Sequence, residues 1–177
     1  MSETRRLDPQ TQALLDRNTQ NGAPATHQMT PQQAREAYLA RRATLQPEPQ
    51  VVGAVIDLDM PGPQSTLAVR VYRPSENTNA KLPALVYSHG GGFVIGDLQS
   101  HDNVCRALCH ESGGVVVAVD YRRAPEHTYP AAAHDCIAAT RWVHAHHEVL
   151  NIDPARLAVG GDSAGGQLAA VVAQALK

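Results

Sequence analysis

The sequence has 177 residues, of which 43% are hydrophobic and 4% aromatic, an ordinary globular composition that excludes a disordered chain. Fifteen lysines and arginines stand against 17 aspartates and glutamates, which gives a net charge of −2. No long basic run is present, so no nucleic-acid partner is expected. A run of about 20 apolar residues is also missing, which excludes a membrane span. The polar start, Met1 to Gln10, lacks the apolar stretch of a signal peptide and favours a cytoplasmic protein.

Residues 1–50 show helical patterns and no strand pattern. Asp8 and Thr30 each precede a proline, an arrangement typical of a helix cap followed by the first helical residue. A break over residues 21–24 separates the two expected helices, and the second is expected to end at Arg42 before a proline-rich linker. We interpret this part of the chain as a helical cap segment with its linker.

Residues 51–177 alternate between strand and helix patterns, which favours a largely parallel sheet that begins with an antiparallel hairpin. Ser100 or Asp102 is expected to cap the first helix, which carries Cys105 and Cys109 as buried, reduced thiols. The expected strands are Val51–Leu58, Thr66–Tyr72, Leu82–Ser88, Val115–Asp120 and Leu157–Gly160. The expected helices end before Gly113, near His147 and near Leu176.

Ser163 lies directly after the last expected strand and directly before a helical pattern. Its G-x-S-x-G segment, Gly161 to Gly165, is typical of a tight turn that presents a nucleophile, because little beyond glycine fits beside such a turn. The first N–H groups of the following helix would also point at the reacting centre. Taken alone, the segment fits an ordinary glycine-rich turn equally well.

A second glycine-rich segment, His89 to Phe93, follows the third expected strand. Acyl transfer builds negative charge on a carbonyl oxygen, and backbone N–H groups with no side chains in the way can stabilise that charge. A segment of this HGGG type is the usual partner of a G-x-S-x-G turn. Three glycines alone would also fit a phosphate-binding loop or a merely flexible one.

Three motifs together point to a known family: His89 to Phe93, Asp120 to His127 and Gly160 to Gly166. In this order and spacing they resemble the hormone-sensitive-lipase-like esterases and lipases of the α/β-hydrolase superfamily, over roughly residues 50–177. The resemblance implies an α/β protein that is the N-terminal part of an α/β-hydrolase fold, with a mostly parallel sheet and helices on both faces. The N-terminal helices resemble the family's cap by helical character only.

By this resemblance Ser163 would be the catalytic nucleophile, and the N–H groups of Gly91, Gly92 and Ala164 would form the oxyanion hole. His89 would hold the glycine loop and would not be the base. The other residues that would support the two motifs are Gly90, Gly161, Asp162 and Gly165. Family members mostly hydrolyse short- to medium-chain esters without a cofactor. A small-molecule ester is therefore the expected substrate, with no cofactor and no metal.

The acid and the histidine of a serine triad are expected beyond Lys177. In α/β-hydrolases they follow the serine in the chain, and the residues after Gly165 include no aspartate, glutamate or histidine. All nine histidines precede Ser163, and we expect surface or structural roles for them. A zinc site is not expected, because two adjacent histidines cannot share one helix face. The histidines considered are His127, His134, His144, His146 and His147.

Three hypotheses about function remain. The chain is part of an ester hydrolase that a C-terminal fragment or second chain completes, a ligand-binding protein on the same scaffold, or a catalytically incompetent fragment. The expected strand Leu157–Gly160 would lie at a sheet edge, and an exposed apolar edge invites pairing with another segment. The intact Ser163 and glycine loop favour the first hypothesis. We take residues 51–177 as the N-terminal portion of the core, ending after the nucleophile helix.

Overall fold

The computed structural model describes residues 7–20, 24–75 and 80–177. The predicted break at 21–24 lies outside the described residues except for Pro24. None of the helices within those ranges has the length and apolar character that a membrane-spanning helix needs. The helices are α1 (Pro9–Gln20), α2 (Pro31–Leu45), α3 (Asp102–Ser112), α4 (Ala131–Ala145) and α5 (Ala164–Ala175). The strands are β1 (Ala54–Pro61), β2 (Thr66–Arg73), β3 (Leu82–Ser88), β4 (Val115–Val119) and β5 (Ile152–Gly161).

The predicted caps of the first two helices are confirmed. The Asp8 carboxylate accepts a hydrogen bond from the N–H of Gln10 (2.8 Å) at the start of α1. At the start of α2, the Thr30 hydroxyl accepts from the N–H of Gln33 (3.3 Å), and the Gln33 side chain accepts from the N–H of Thr30 (2.9 Å). This reciprocal pair satisfies two N–H groups that a helix start leaves without partners.

The predicted cap of α3 is wrong. His101 stands at the N-cap position, and its side chain makes no capping hydrogen bond. The Asp102 carboxylate is engaged elsewhere, since it accepts hydrogen bonds from Tyr72 (2.9 Å) and Arg106 (2.6 Å). Ser100 is engaged in the turn before the helix, where its hydroxyl oxygen accepts from the N–H of Asp97 (2.9 Å). Tertiary partners thus outcompete the helix end for both side chains.

The five strands form one sheet in the order β1-β2-β4-β3-β5. β1 and β2 form the predicted antiparallel hairpin, and β2 is also antiparallel to β4. β3 lies parallel to both β4 and β5. Four strands therefore run in one direction and only β2 opposes them, which confirms a mostly parallel sheet. β5 lies at the edge of the sheet, as the sequence predicted.

Helices cover both faces of the sheet, as predicted. Cys105 and Cys109 of α3 pack with one set of buried strand residues. Val143 of α4 and Leu168 of α5 pack with the other set on the opposite face. β4 is buried along its whole length, and its valines alternate between the two faces. A continuous apolar run is what a strand covered on both sides requires.

The cysteines are buried free thiols, which confirms the prediction for Cys105 and Cys109. Burial raises the pKa of Cys105 to about 12, that of Cys109 to about 11 and that of Cys136 to about 12. Because the thiolate is the reactive form, these side chains act as small apolar core residues.

The beginning of β5 differs from the prediction. Leu82 of β3 pairs with Ile152, and the register then shifts so that Ala84 pairs with Leu157. The intervening residues on β5 bulge out of the ladder around Pro154, which has no N–H to donate. The expected strand was Leu157–Gly160, whereas β5 begins at the buried Ile152 and ends at Gly161.

Other element ends move by a few residues. β1 begins at Ala54 and extends to Pro61, whose position on an outer strand tolerates a missing N–H. α2 continues to Leu45 and α4 ends at Ala145. None of these changes alters the topology.

A buried ion pair ties the segment after β4 to α4. Asp135 has no exposed surface, and its carboxylate accepts from the backbone N–H (2.9 Å), Nε (2.8 Å) and Nη2 (2.7 Å) of Arg122. Three hydrogen bonds from Arg122 compensate the cost of burying the Asp135 carboxylate. Either charge buried without the other would destabilise the fold. The pair therefore fixes the DYRRAPEH segment, residues 120–127, on α4.

We predict that Asp135→Ala lowers the free energy of unfolding by roughly 3–5 kcal/mol, because it leaves the Arg122 guanidinium without its buried partner. Urea unfolding followed by circular dichroism measures the change. Asp59→Ala, at an exposed position on β1, is the control and should leave the midpoint unchanged. A midpoint for Asp135→Ala equal to that of the control would contradict the prediction.

Candidate active site

Parallel pairing of β3 and β5 brings the two glycine-rich segments together. Ser88, the last residue of β3, pairs with Gly161, the last residue of β5. Because the strands are parallel, the segments that follow them begin at the same end of the sheet, where the carboxyl ends of both strands lie. The glycine loop, residues 89–93, therefore lies beside the nucleophile turn, residues 161–165.

Ser163 has backbone angles of φ 52° and ψ −117° at the tip of the turn from β5 into α5. A positive φ is rare outside glycine, and holding a residue in such a sparsely populated region costs roughly 1–3 kcal/mol. The turn is fixed by hydrogen bonds from Gly165 N–H to the Asp162 carbonyl (2.7 Å) and from Gln167 N–H to the Ser163 carbonyl (3.1 Å). The side chain of Ser163 is exposed beyond the carboxyl end of β5.

Gly161 and Gly165 permit a close backbone approach. A Cβ on Gly165 would lie 2.7 Å from the carbonyl oxygen of His89 and would also clash with the carbonyl of Ser88. A Cβ on Gly161 would lie 2.5 Å from the carbonyl carbon of Gly165. Real Cβ atoms do not come this close to backbone, so any other residue would push the turn away from the glycine loop. These glycines set the separation of the two motifs.

The glycine loop has the left-handed conformation that glycine tolerates. Gly91 has φ 122° and Gly92 has φ 60°, and the following Phe93 has φ 64° despite its side chain. The N–H groups of Val94 (3.1 Å) and Ile95 (2.9 Å) both donate to the Gly91 carbonyl and close a tight turn.

Backbone N–H groups at this place remain available to a ligand. Among the hydrogen bonds found within the described ranges, none uses the N–H of Gly91, Gly92 or Ala164 as donor. The two loop donors and the first N–H of α5 come from adjoining segments. They are the three groups that the sequence predicted for an oxyanion hole.

The Asp162 carboxylate joins the glycine loop to the nucleophile turn. Its Oδ1 atom accepts hydrogen bonds from the Gly90 N–H (2.8 Å) and the Tyr87 hydroxyl (2.8 Å), and it lies 3.3 Å from Nε2 of His101. Partial burial acts to raise the pKa of Asp162, but these donors outweigh it and the pKa lies below its ordinary value. The residue next to Ser163 is thus an anion held by three groups.

His101 is a functional neighbour that sequence reasoning missed. It is 3% exposed, and burial lowers the pKa of its imidazole, so the ring is neutral. A neutral ring that donates from Nε2 to Asp162 accepts at Nδ1, where the Ser100 hydroxyl lies at 3.0 Å. The only sequence signal was a polar triplet at a helix start, which capping explained equally well.

His89 is held behind the loop by its ring and its backbone. The ring stacks on Tyr121 with 4.2 Å between centroids, and its Nδ1 lies 2.8 Å from the Gly90 carbonyl, to which it donates. The Tyr121 hydroxyl donates to the His89 carbonyl (2.7 Å). Burial lowers the pKa of His89 to about 4, so the ring is neutral at physiological pH.

The other histidines that the sequence analysis considered lie in α4 or in the segments on either side of it. His127, His134, His144 and His146 are exposed, and His147 is half-buried. The described part of the chain has no group of three His, Cys, Asp or Glu side chains that could hold a metal ion.

Comparison with known proteins agrees with this architecture. Residues 85–177 match the model of a family described as having the alpha/beta hydrolase fold. The chain belongs to this family. The matched part contains the glycine loop, the DYRRAPEH segment and the nucleophile turn.

Three similar proteins carry the names of esterases or ester hydrolases. The esterase LipI of Mycobacterium tuberculosis is 50% identical over 121 residues, which are 68% of this chain and 38% of that protein. The carboxylic ester hydrolase LipN of the same organism is 41% identical over 95% of this chain and 44% of its own length. The solved ester hydrolase EH1AB1, from the metagenome of Lake Arreo, superposes with a TM-score of 0.90 at 42% identity. That match covers 96% of this chain and 55% of the solved one.

The chain thus spans about half the length of these relatives. The resemblance to hormone-sensitive-lipase-like esterases and the fold class inferred from the motifs are confirmed. No relative named above supports the hypothesis of a ligand-binding protein.

The burial of His89 gives a prediction about pH. Its side-chain resonance should titrate with a midpoint of about 4 instead of the usual 6.5, because the buried ring loses water, and this loss outweighs the hydrogen bond to the Gly90 carbonyl, which acts to raise the pKa. The unfolded chain binds a proton near 6.5, so the contribution of His89 to stability is present above that pH and is lost as the pH falls towards 4. NMR titration measures the midpoint, and His89→Gln assigns the resonance by its loss. A midpoint near 6.5 would contradict the prediction.

Proposed function

We propose that this chain is the nucleophile-bearing part of a carboxylic ester hydrolase that acts on short- to medium-chain esters. The observation that carries the proposal is the strained Ser163 at the end of β5, next to a glycine loop at the end of the neighbouring β3. The esterase names of relatives that cover nearly the whole chain add to it.

The proposed reaction begins with attack of the Ser163 Oγ on the ester carbonyl. The hydroxyl proton passes to a general base, and a tetrahedral intermediate forms with negative charge on the former carbonyl oxygen. Collapse of the intermediate breaks the bond to the alcohol, which leaves with a proton, and an acyl-serine remains. Water then attacks the acyl group by the same route and releases the acid. No cofactor takes part.

The N–H groups of Gly91, Gly92 and Ala164 are the proposed oxyanion hole. They carry no competing hydrogen bond within the described ranges. The N–H of Ala164 also belongs to the first turn of α5, where the helix dipole favours negative charge. Donors fixed in advance need no rearrangement when the charge develops, which is why such groups contribute strongly to catalysis.

The supporting residues hold these groups in place in the proposed mechanism. Asp162 ties Gly90 to the nucleophile turn, and Gly161 and Gly165 set its distance from the loop. His89 supports the loop from behind as a neutral ring and is not the base.

We propose that the triad acid and histidine come from residues beyond Lys177 or from a second chain, which would also cover β5. Among the strands of the described ranges, β5 pairs with β3 alone, and a groove beside it is lined in part by the apolar side chains of Leu157, Val159, Val172 and Leu176. An added strand would satisfy the free edge and bury this groove.

Replacement of the nucleophile tests the proposal. In the full-length polypeptide, Ser163→Ala should lower kcat for p-nitrophenyl butyrate by roughly 10⁴-fold or more, because the remaining groups cannot form an acyl intermediate. It should also abolish labelling by a fluorophosphonate probe. Ser65→Ala, in the turn between β1 and β2, should change neither. Hydrolysis or labelling retained by Ser163→Ala would contradict the proposal.

The need for a further segment is tested with residues 1–177 alone. We expect this polypeptide to self-associate through the free edge of β5 and to lack esterase activity. Co-expression with the remaining part of the full-length protein should restore a monodisperse, active species, as measured by size-exclusion chromatography and ester hydrolysis. A monomeric, cooperatively unfolding and fully active 1–177 chain would contradict this idea.

A further inference from the structure

Arg35 on α2 connects the cap segment to the two loops behind the candidate site. Its Nε donates to the carbonyl of Val94 (2.8 Å), and its Nη2 donates to the carbonyl of Ala124 (2.9 Å). The same guanidinium makes a bidentate pair with Glu126 at 2.8 and 2.7 Å. The side chain is 18% exposed, so most of it is enclosed by these partners.

The two carbonyls that Arg35 binds belong to segments that are bonded to each other. The N–H of Ala124 donates to the carbonyl of Phe93 (2.8 Å), and Val94 closes the turn onto the Gly91 carbonyl. Phe93 lies between these contacts with φ 64°. A conformation that a non-glycine residue adopts at a cost persists only where its surroundings enforce it. The hydrogen bonds from Arg35, which lies on α2 outside the core, help to hold Phe93 in this conformation.

The hydrogen bonds from Arg35 to the two backbone carbonyls matter more for the position of the glycine loop than the ion pair with Glu126 does. Glu126 is exposed, and the hydrogen bonds from Arg35 lower its pKa to about 2. Ion pairs of this exposed kind contribute little to stability. The planar guanidinium, in contrast, bridges two backbone carbonyls with fixed geometry, which a lysine ammonium cannot reproduce.

We propose that Arg35 is a positioning residue for ester hydrolysis. It holds the Gly91–Ile95 turn so that the N–H groups of Gly91 and Gly92 face the developing oxyanion. This inference rests on the proposed function, because it assigns a task to the same oxyanion hole. Since a misplacement of about 1 Å can cost about 100-fold in rate, loosening this turn should affect the chemical step more than substrate binding.

The test uses the full-length polypeptide with p-nitrophenyl butyrate, and active sites are counted by stoichiometric fluorophosphonate labelling. We expect Arg35→Ala to lower kcat per labelled site by about 10- to 100-fold, with a KM within about 3-fold of wild type. Millimolar guanidinium chloride should restore part of the lost kcat, and equal sodium chloride should not.

Arg156→Ala is the matched control. Arg156 also donates to a carboxylate, that of Asp153 (2.7 Å), and to a backbone carbonyl, that of Lys81 (2.7 Å). These contacts lie at the opposite end of β3 and β5 from Ser163. The control should retain the wild-type kcat, and an equal loss in both variants would overturn the inference.

Arg35→Lys keeps the charge and the alkyl chain and serves if the alanine variant does not fold. We expect its kcat per labelled site to fall at least about 10-fold. A wild-type kcat per labelled site in either variant overturns the inference, even where the melting temperature falls, because a merely structural role lowers only the folded fraction. If the wild-type protein neither hydrolyses esters nor labels at Ser163, the proposed function fails instead.

Discussion

The candidate site depends on contact between two backbone segments with no side chain between them. β3 and β5 end side by side, and beyond their ends Gly165 lies against the carbonyls of Ser88 and His89. A single methyl group at this place would separate the two segments. Ser163 and the N–H groups of the glycine loop therefore stay within reach of one small group only while Gly161 and Gly165 are kept.

One charged side chain and two neutral imidazole rings lie around this contact. Asp162 remains an anion because it accepts hydrogen bonds from the Gly90 N–H and the Tyr87 hydroxyl and lies beside Nε2 of His101. His101 and His89 are kept neutral by burial, although both lie near the same loop. Two neutral rings add no positive charge beside the N–H groups of the proposed oxyanion hole. The placement of the negative charge on Asp162 instead fixes the loop to the turn.

Local patterns were sufficient to predict the sheet and the two motifs. Buried strands have the pattern of apolar runs, and the order and spacing of three motifs together distinguished the glycine segments from ordinary turns. The hydrogen-bond partners of several side chains could not be predicted, because those partners are distant in the sequence. Asp102 looked like a helix cap until Tyr72 and Arg106 were seen to bind it. No local pattern marks Arg35, because it binds Val94 and Ala124 through their backbone carbonyls, which every residue has.

The order of strands in the sheet also bears on when the site can form. β1 and β2 meet through a short turn, but β3 pairs only with β4 and β5, which are synthesised later. Contacts between distant parts of a chain form slowly, because a long loop must first be closed. β3, which precedes the glycine loop, therefore cannot pair on both sides until β4 and β5 have been synthesised. The candidate site would therefore be among the last parts of the structure to form during biosynthesis, after most of the sheet has been assembled.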